Sequence, residues 1–373
     1  MKRLSLSMYF FLLGFIYAAW IVRLPDLQVA TGVSDAGLGI ALFFAALGAF
    51  SAIFVSALVI RKLSSAETVL LMCGAYALVL PCMAFAHSGL QLSIILFFAG
   101  SASAILDVAI NTQAVVVERQ SAKPIMSSLH AMYSVGATSG GGLAVILMRY
   151  NTEWHFSIIS LLSLIIILIF ARGLDRTPVV DSGHATKGRF LPSPILKALA
   201  VVMFCSLLVE GALAEWSTKF MKEVAGAPPE LLPYALSGFS LGMLLGRALG
   251  DLLRRKVQDT WVVIYGSLVS VLATATLLLV INVWVSVAAF TLAGFGLSIL
   301  IPVCFSVAGK SGDSNPEVAI AQLTSIGYSG FMIGPPVIGF LSYRFGLVNG
   351  LLIVPLLMSV SLLVTLRVLK KKA

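Results

Sequence analysis

Gly246-Arg247-Ala248-Leu249-Gly250-Asp251-Leu252-Leu253-Arg254-Arg255-Lys256 closes an apolar run that begins near residue 231. A glycine-rich helix end leads here into a basic cluster. Cations at that place lie beside the last carbonyls of a helix and in the cytoplasmic headgroup layer of a bilayer. The stretch therefore reads as a membrane span reaching the cytoplasmic surface. About 194 residues earlier, Arg61-Lys62 follow another apolar run and fall close to the register of Arg254-Arg255.

The rest of the chain agrees. Of 373 residues, 59% are hydrophobic and 11% charged, against about 25% charged in soluble domains, which excludes a water-soluble globule. Apolar runs give spans at 4–22, 36–60, 67–86, 90–117, 124–148, 154–172, 195–221, 231–253, 260–281, 284–309, 316–342 and 347–368. At about 20 residues per helix, twelve spans use most of the length. The stretch from Arg172 to Lys197, with Asp175, Pro178, Asp181, Gly183, Lys187 and Arg189, is the one long polar segment and reads as a cytoplasmic linker. We expect a six-helix bundle at 1–172, a linker at 173–194 and a second bundle at 195–373.

With both termini cytoplasmic, 19 of the 25 lysines and arginines lie in inner loops, and five, Arg23, Arg149, Lys219, Lys222 and Arg344, lie in outer ones. Arg247 is inside a span. This positive-inside bias accounts for the net charge of +9 without nucleic acid. Cys73, Cys82, Cys205 and Cys304 lack metal or disulfide spacing and read as buried packing residues. The N-terminal run is long enough to span, so it reads as the first helix rather than a signal peptide.

The halves also match internally. An offset of about 194 aligns Leu47-Gly48 with Leu241-Gly242, Ala99-Gly100 with Ala293-Gly294 and Gly32 with Gly226. Parallel six-helix repeats are the construction of major facilitator transporters, and the 246–256 stretch resembles that superfamily's loop motif. The family's usual Asp in this loop is replaced by Arg254, and by Arg61 in the first half. The resemblance implies an all-α membrane protein of twelve helices in two pseudo-symmetric bundles, with Arg61, Lys62, Gly246, Arg247, Gly250, Arg254 and Arg255 in gating loops and a solute site near mid-membrane.

Three spans carry chemistry. In the fourth, Leu106-Asp107-Val108-Ala109-Ile110-Asn111 resembles the acidic-x-x-x-Asn pattern of fucose permease and its relatives. Asp107 and Asn111 share a face, and Asp107 lies roughly 15 Å from the cytoplasmic end of its span. A charge at that depth usually faces a cavity or a partner, so Asp107 is a candidate proton acceptor; an Asp held by neighbouring hydroxyls to lock two helices is the structural alternative. In the fifth, Ser128-Leu129-His130-Ala131-Met132-Tyr133 matches the stretch where those relatives place sugar-contacting amides. His130 and Tyr133 suit hydrogen bonding to a polar solute, although His130 bonded only to a helix backbone fits equally well.

In the seventh, Glu210-Gly211-Ala212-Leu213-Ala214-Glu215-Trp216 is similar to a run in uncharacterised bacterial inner-membrane transporters near fucose permease. Glu210 is the second proton or substrate candidate. Glu215 points about 140° away around the helix, toward an outer gate or a pairing with Lys219. Trp216 is a candidate gate residue beside Glu215, while interfacial anchoring suits Trp20 and Trp216 equally well. Pro302 and Gly334-Pro335-Pro336 predict kinks, and Gln322 and Tyr328 are candidates to line the cavity.

Gly238-Phe239-Ser240-Leu241-Gly242 imitates a hydrolase elbow but sits mid-span, and Gly309-Lys310-Ser311 lacks the first P-loop glycine. The expectation is thus no enzyme, nucleotide, metal or cofactor. We expect a monomeric secondary transporter in the lipid bilayer of the inner membrane, moving a small polar, sugar-like solute on a proton gradient. A proton-driven exporter of a metabolite or drug, and a transporter-like sensor, are the alternatives.

Overall fold

The computed structural model describes residues 2–121, 125–175, 193–254, 256–310 and 316–369, and among them every regular element is helical. The first half runs α1 (Lys2–Ile21), α2 (Leu24–Thr31), α3 (Asp35–Leu63), α4 (Ser65–Ala84), α5 (Gly89–Ser121), α6 (Met126–Leu147) and α7 (Thr152–Phe170). The second runs α8 (Pro194–Glu223), α9 (Pro233–Arg254), α10 (Asp259–Leu279), α11 (Val283–Ser298), α12 (Leu300–Lys310), α13 (Pro316–Phe345), α14 (Leu347–Gly350) and α15 (Ile353–Val364). Nine helical stretches among the described residues are long and apolar enough to cross a membrane. Leu168, Ile169 and Leu279 are exposed, as expected of helices solvated by lipid rather than water.

Local sequence sets the starts. Ser34 accepts from the Gly37 amide, Asn151 from Trp154 and Asn282 from Trp284 and Val285, each relieving orphan donors of a first turn. At the start of α4, Ser64 Oγ accepts from the Glu67 amide and its hydroxyl donates to the Glu67 carboxylate. Ser64 alone joins α3 to α4, at a φ of +70° that is otherwise left to glycine among the described residues. Glu118 accepts from the amides of Ile125 and Met126 at the start of α6.

The structure departs from twelve uninterrupted helices in three places. A short helix, α2, occupies the loop after the first span. The tenth predicted span is broken at Ile299, between α11 and α12. Proline at 302 has no amide for the Ser298 carbonyl and its ring crowds that oxygen, so the helix restarts. The last span is divided into α14, α15 and a terminal turn, Thr365–Leu369. At the other expected kink, α13 runs through Pro335 and Pro336 as one helix. Of the cysteines, Cys82 is exposed and the other three are buried.

Two compact units are formed, one from Met1–Asp181 with Ala227–Ser237, the other from Ser182–Gly226 with Gly238–Ala373. In the first, α1 is buried nearly all round and glycines bring its backbone against α6. A Cβ at Gly14 would stand 2.1 Å from the Tyr133 carbonyl oxygen, and one at Gly136 would stand 2.0 Å from that of Phe11. Helices α3 and α5 meet in the same way, with Gly48 against the carbonyl of Phe97 and Gly100 against that of Ala45.

The second unit repeats these contacts. Gly242 of α9 lies against the Thr291 carbonyl, and Gly294 of α11 against that of Phe239. All four residues stand 194 positions after their counterparts in the first unit. Gly330 of α13 lies against the Phe204 carbonyl of α8 as Gly136 does against Phe11. Gly32 and Gly226, matched by the same offset, both adopt a φ of +65°. The repeat read in the sequence is therefore a repeat of backbone contacts.

Two buried polar nodes tie the first unit together. Arg23, 4% exposed, donates from Nε to His155 Nδ1 (2.8 Å), from one terminal nitrogen to Asp26 (2.8 Å) and from the other to the carbonyls of Leu147 and Tyr150 (2.8 and 2.7 Å). Leu147 is the last residue of α6, so the guanidinium satisfies a helix-terminal carbonyl and faces the negative end of the dipole. At the other end, Gln113 of α5 brackets the peptide of Asp175. It donates to the Asp175 carbonyl and to Ser65 Oγ, and accepts from the Asp175 amide. Lys2 pairs with the Asp175 carboxylate at 2.7 Å.

Candidate functional site

In the first unit, Asp107 lies about 27 Å from the start of α5 and about 21 Å from its end by helical rise, which puts it at the middle of that helix. The Asn111 amide donates to Asp107 Oδ1 (3.0 Å) and to the Asp107 carbonyl (2.9 Å), so the spacing does place both groups on one face. Each is half-buried. Tyr133 of α6, also half-buried, faces Tyr17 of α1 with ring centroids 6.5 Å apart. Tyr17 meets Trp20 edge-on at 5.5 Å, and Trp20 donates its indole N–H to the Tyr76 hydroxyl at 3.1 Å. His130 is exposed and packs edge-on against Phe10.

In the second unit, Glu210 lies near the middle of α8, yet it is not stranded. Arg247 of α9 reaches to 3.9 Å from its Oε1, which is charge compensation at the outer limit of contact. Arg247 thus belongs to Glu210 as well as to the loop motif. Gly246 and Gly250 of that motif pack at Ser298 and Ile299, beside the break between α11 and α12. Arg254 binds Asp259 at the start of α10 (2.8 Å), so the arginine standing where the family has an acid meets its acid five residues on. Arg61 and Lys62 are exposed at the end of α3. Arg255 lies outside the described residues.

Glu215 is 4% exposed, and its Oε2 has no hydrogen-bond partner among the described residues. The pairing with Lys219 is not formed; Lys219 binds Glu223 one turn further along α8. Trp20 and Trp216 are both buried, contrary to interfacial anchoring. A tryptophan on a helix enclosed on all sides has no route to an interface. Gln322 is half-buried and Tyr328 is 37% exposed on α13.

The reading from sequence missed Tyr17 and Tyr76, which join Tyr133 and Trp20 into one aromatic group across α1, α4 and α6. The available signal was a phenol inside an otherwise apolar span. It also left Arg23 as an ordinary outer-loop charge.

The sequence model of the Major Facilitator Superfamily matches residues 6–312. An uncharacterised MFS-type transporter of Yersinia pestis is 29% identical over 360 residues, covering 94% of this chain and 93% of that protein. Membrane protein MosC of Rhizobium meliloti is 30% identical, with 94% and 86% covered. Among solved structures, the nucleoside transporter NupG superposes with a TM-score of 0.77 at 14% identity, covering 98% of each chain. FucP in its outward conformation gives 0.64 at 18% identity, again with 98% of each chain covered. At such identities these structures speak for the fold alone.

Proposed function

The chain belongs to the Major Facilitator Superfamily and is a multi-pass membrane transport protein rather than an enzyme, and from that premise we propose proton-coupled secondary transport of a small polar solute by alternating access. The reading extends to residence in the inner membrane with both termini cytoplasmic, a monomeric working state and a proton gradient as the energy source. The observation that carries it is Asp107. An acidic side chain at the middle of a membrane-crossing helix is costly to insert, by about 2.5 to 3.5 kcal/mol, and its described partner is a neutral amide, Asn111. Such a carboxyl can take up a proton and give it back without first breaking an ion pair. Tyr133, Tyr17 and Asn111 supply hydroxyl and amide groups for a polar solute, and the two phenol rings supply faces for a sugar or nucleobase ring.

The test uses purified protein in proteoliposomes loaded with a pH-sensitive dye and challenged with monosaccharides and nucleosides. Wild type is expected to couple uptake of at least one of these to proton movement. In Asp107→Asn that proton movement per solute falls well below the wild-type value, while exchange of solute across the membrane continues. Solute-linked proton flux undiminished in Asp107→Asn refutes the role of Asp107. Absence of any such flux in wild type across the panel refutes proton coupling to these solutes.

A further inference from the structure

Glu210 and Glu215 share a helix but not a situation. Glu210 is partly exposed and has the Arg247 guanidinium 3.9 Å away. Glu215 is buried, and neither an ion pair nor a hydrogen bond to its Oε2 exists among the described residues. Two further buried polar atoms within three residues are likewise unpartnered, Trp216 Nε1 and Thr218 Oγ1. Thr218, three residues on, lies on the same face of α8 as Glu215.

Among the described residues the surrounding helices supply Glu215 no counter-charge; on α9, Arg247 stands at Glu210 and Arg254 at Asp259. Helices α11 and α15, which pack against α8, contain no titratable side chain. In α12 the titratable residues are Cys304 and Lys310, the latter its last residue. In α13, which runs parallel to α8 with Gly330 at Phe204 and Gly334 at Leu208, the level of Glu215 falls near Ser342. Tyr343 and Arg344 there are exposed, whereas Tyr328 and Glu317 lie further toward its start. Arg367 is in the terminal turn. On α8 itself, Lys219 is bound to Glu223, and Lys197, Cys205 and Lys222 lie at least a turn and a half away along the helix.

A buried carboxylate without a cation or donors is held only at high cost, and the ordinary resolution is to neutralise it. We propose that Glu215, not Glu210, holds the exchangeable proton of the second unit; this rests on the proton-coupled reading given above. Uptake forms one O–H bond at the carboxyl and cancels one negative charge, and release returns the proton to water. Glu210 keeps its charge, matched by Arg247.

Infrared difference spectroscopy of the full chain in lipid, in an Asp107→Asn background, tests protonation without any solute. Near neutral pH, a carbonyl band of a protonated carboxyl, shifted by deuterium exchange, is expected to vanish in Glu215→Gln and to persist in Glu210→Gln and Glu215→Asp. Glutamine has the shape of the neutral acid, so folding should survive. In proteoliposomes with Asp107 intact, Glu215→Gln is expected to lower solute-linked proton movement per solute, and Glu210→Gln to leave that ratio unchanged. A band indifferent to Glu215→Gln, or an undiminished ratio, overturns the assignment. Absence of solute-linked flux in wild type would strike at the coupling reading instead, and is recorded separately from the band.

Discussion

Gly48→Ala is expected to lower stability by about 3 kcal/mol or more, at the upper end of what overpacking costs, while Gly74→Ala, the same change in α4, is neutral or stabilising. At Gly48 the added methyl would stand 2.0 Å from the Phe97 carbonyl oxygen, with the Phe97 carbonyl carbon also inside 3.0 Å. These are backbone atoms, so nothing flexible can swing aside and α3 must separate from α5. At Gly74 nothing lies within 4 Å, and replacing a helical glycine by alanine gains about 0.5 to 1 kcal/mol through the unfolded chain. Gly242→Ala should behave as Gly48→Ala does, since its methyl would meet the Thr291 carbonyl at 1.9 Å. Thermal unfolding midpoints in one detergent separate the cases. Equal midpoints for the Gly48 and Gly74 variants would show that these close approaches do not hold the units together.

Arg23→Met should be comparably severe. Methionine keeps much of the apolar stem but removes all four donated bonds, leaving the buried His155 Nδ1 and the part-buried Tyr150 carbonyl without the Arg23 donor, and the Leu147 carbonyl with the Tyr150 amide alone. Each orphaned group costs about 1 to 3 kcal/mol, so a loss of about 3 to 5 kcal/mol is expected after partial relaxation. Because Nδ1 accepts from Arg23, the ring proton of His155 resides on Nε2, and the ring cannot replace the lost donor without changing tautomer. Arg23→Lys restores the charge but not the planar fork, and should fall between Arg23→Met and wild type. If Arg23→Met unfolds with the wild-type midpoint, the node is ornamental.

The two predictions differ in how far sequence led to them. Gly48, Gly100, Gly242 and Gly294 were visible because an internal repeat aligns them, and a repeat turns one chain into two copies for comparison. Arg23 offers no such aid. Three of its four partners stand 124 to 132 residues away, and among five outer-loop cations nothing local distinguishes one that will be buried. Asp107 and Asn111 were legible as a pair because helical spacing alone brings them together. Glu210 was legible as an acid in a span but not as a paired one, since Arg247 lies on another helix and read naturally as part of the loop. The break at Ile299 was half visible. Proline at 302 foretold a disturbance, while the contact that Gly250 makes with Ile299 at the break had no signal in the sequence.

The pairing of Glu210 with Arg247 also has an electrical side. With both groups ionised the pair carries no net charge, so the membrane voltage does no net work on it wherever it sits in the bilayer. An ionised Asp107 has no such shield, and moving one elementary charge through the whole field is worth about 2.3 kcal/mol per 100 mV. Voltage can therefore bias this protein through a carboxylate in the first unit while passing over the more conspicuous ion pair in the second. Charge displacement on a solid-supported membrane would accordingly follow the protonation of Asp107 and Glu215, with Glu210 and Arg247 travelling as silent cargo.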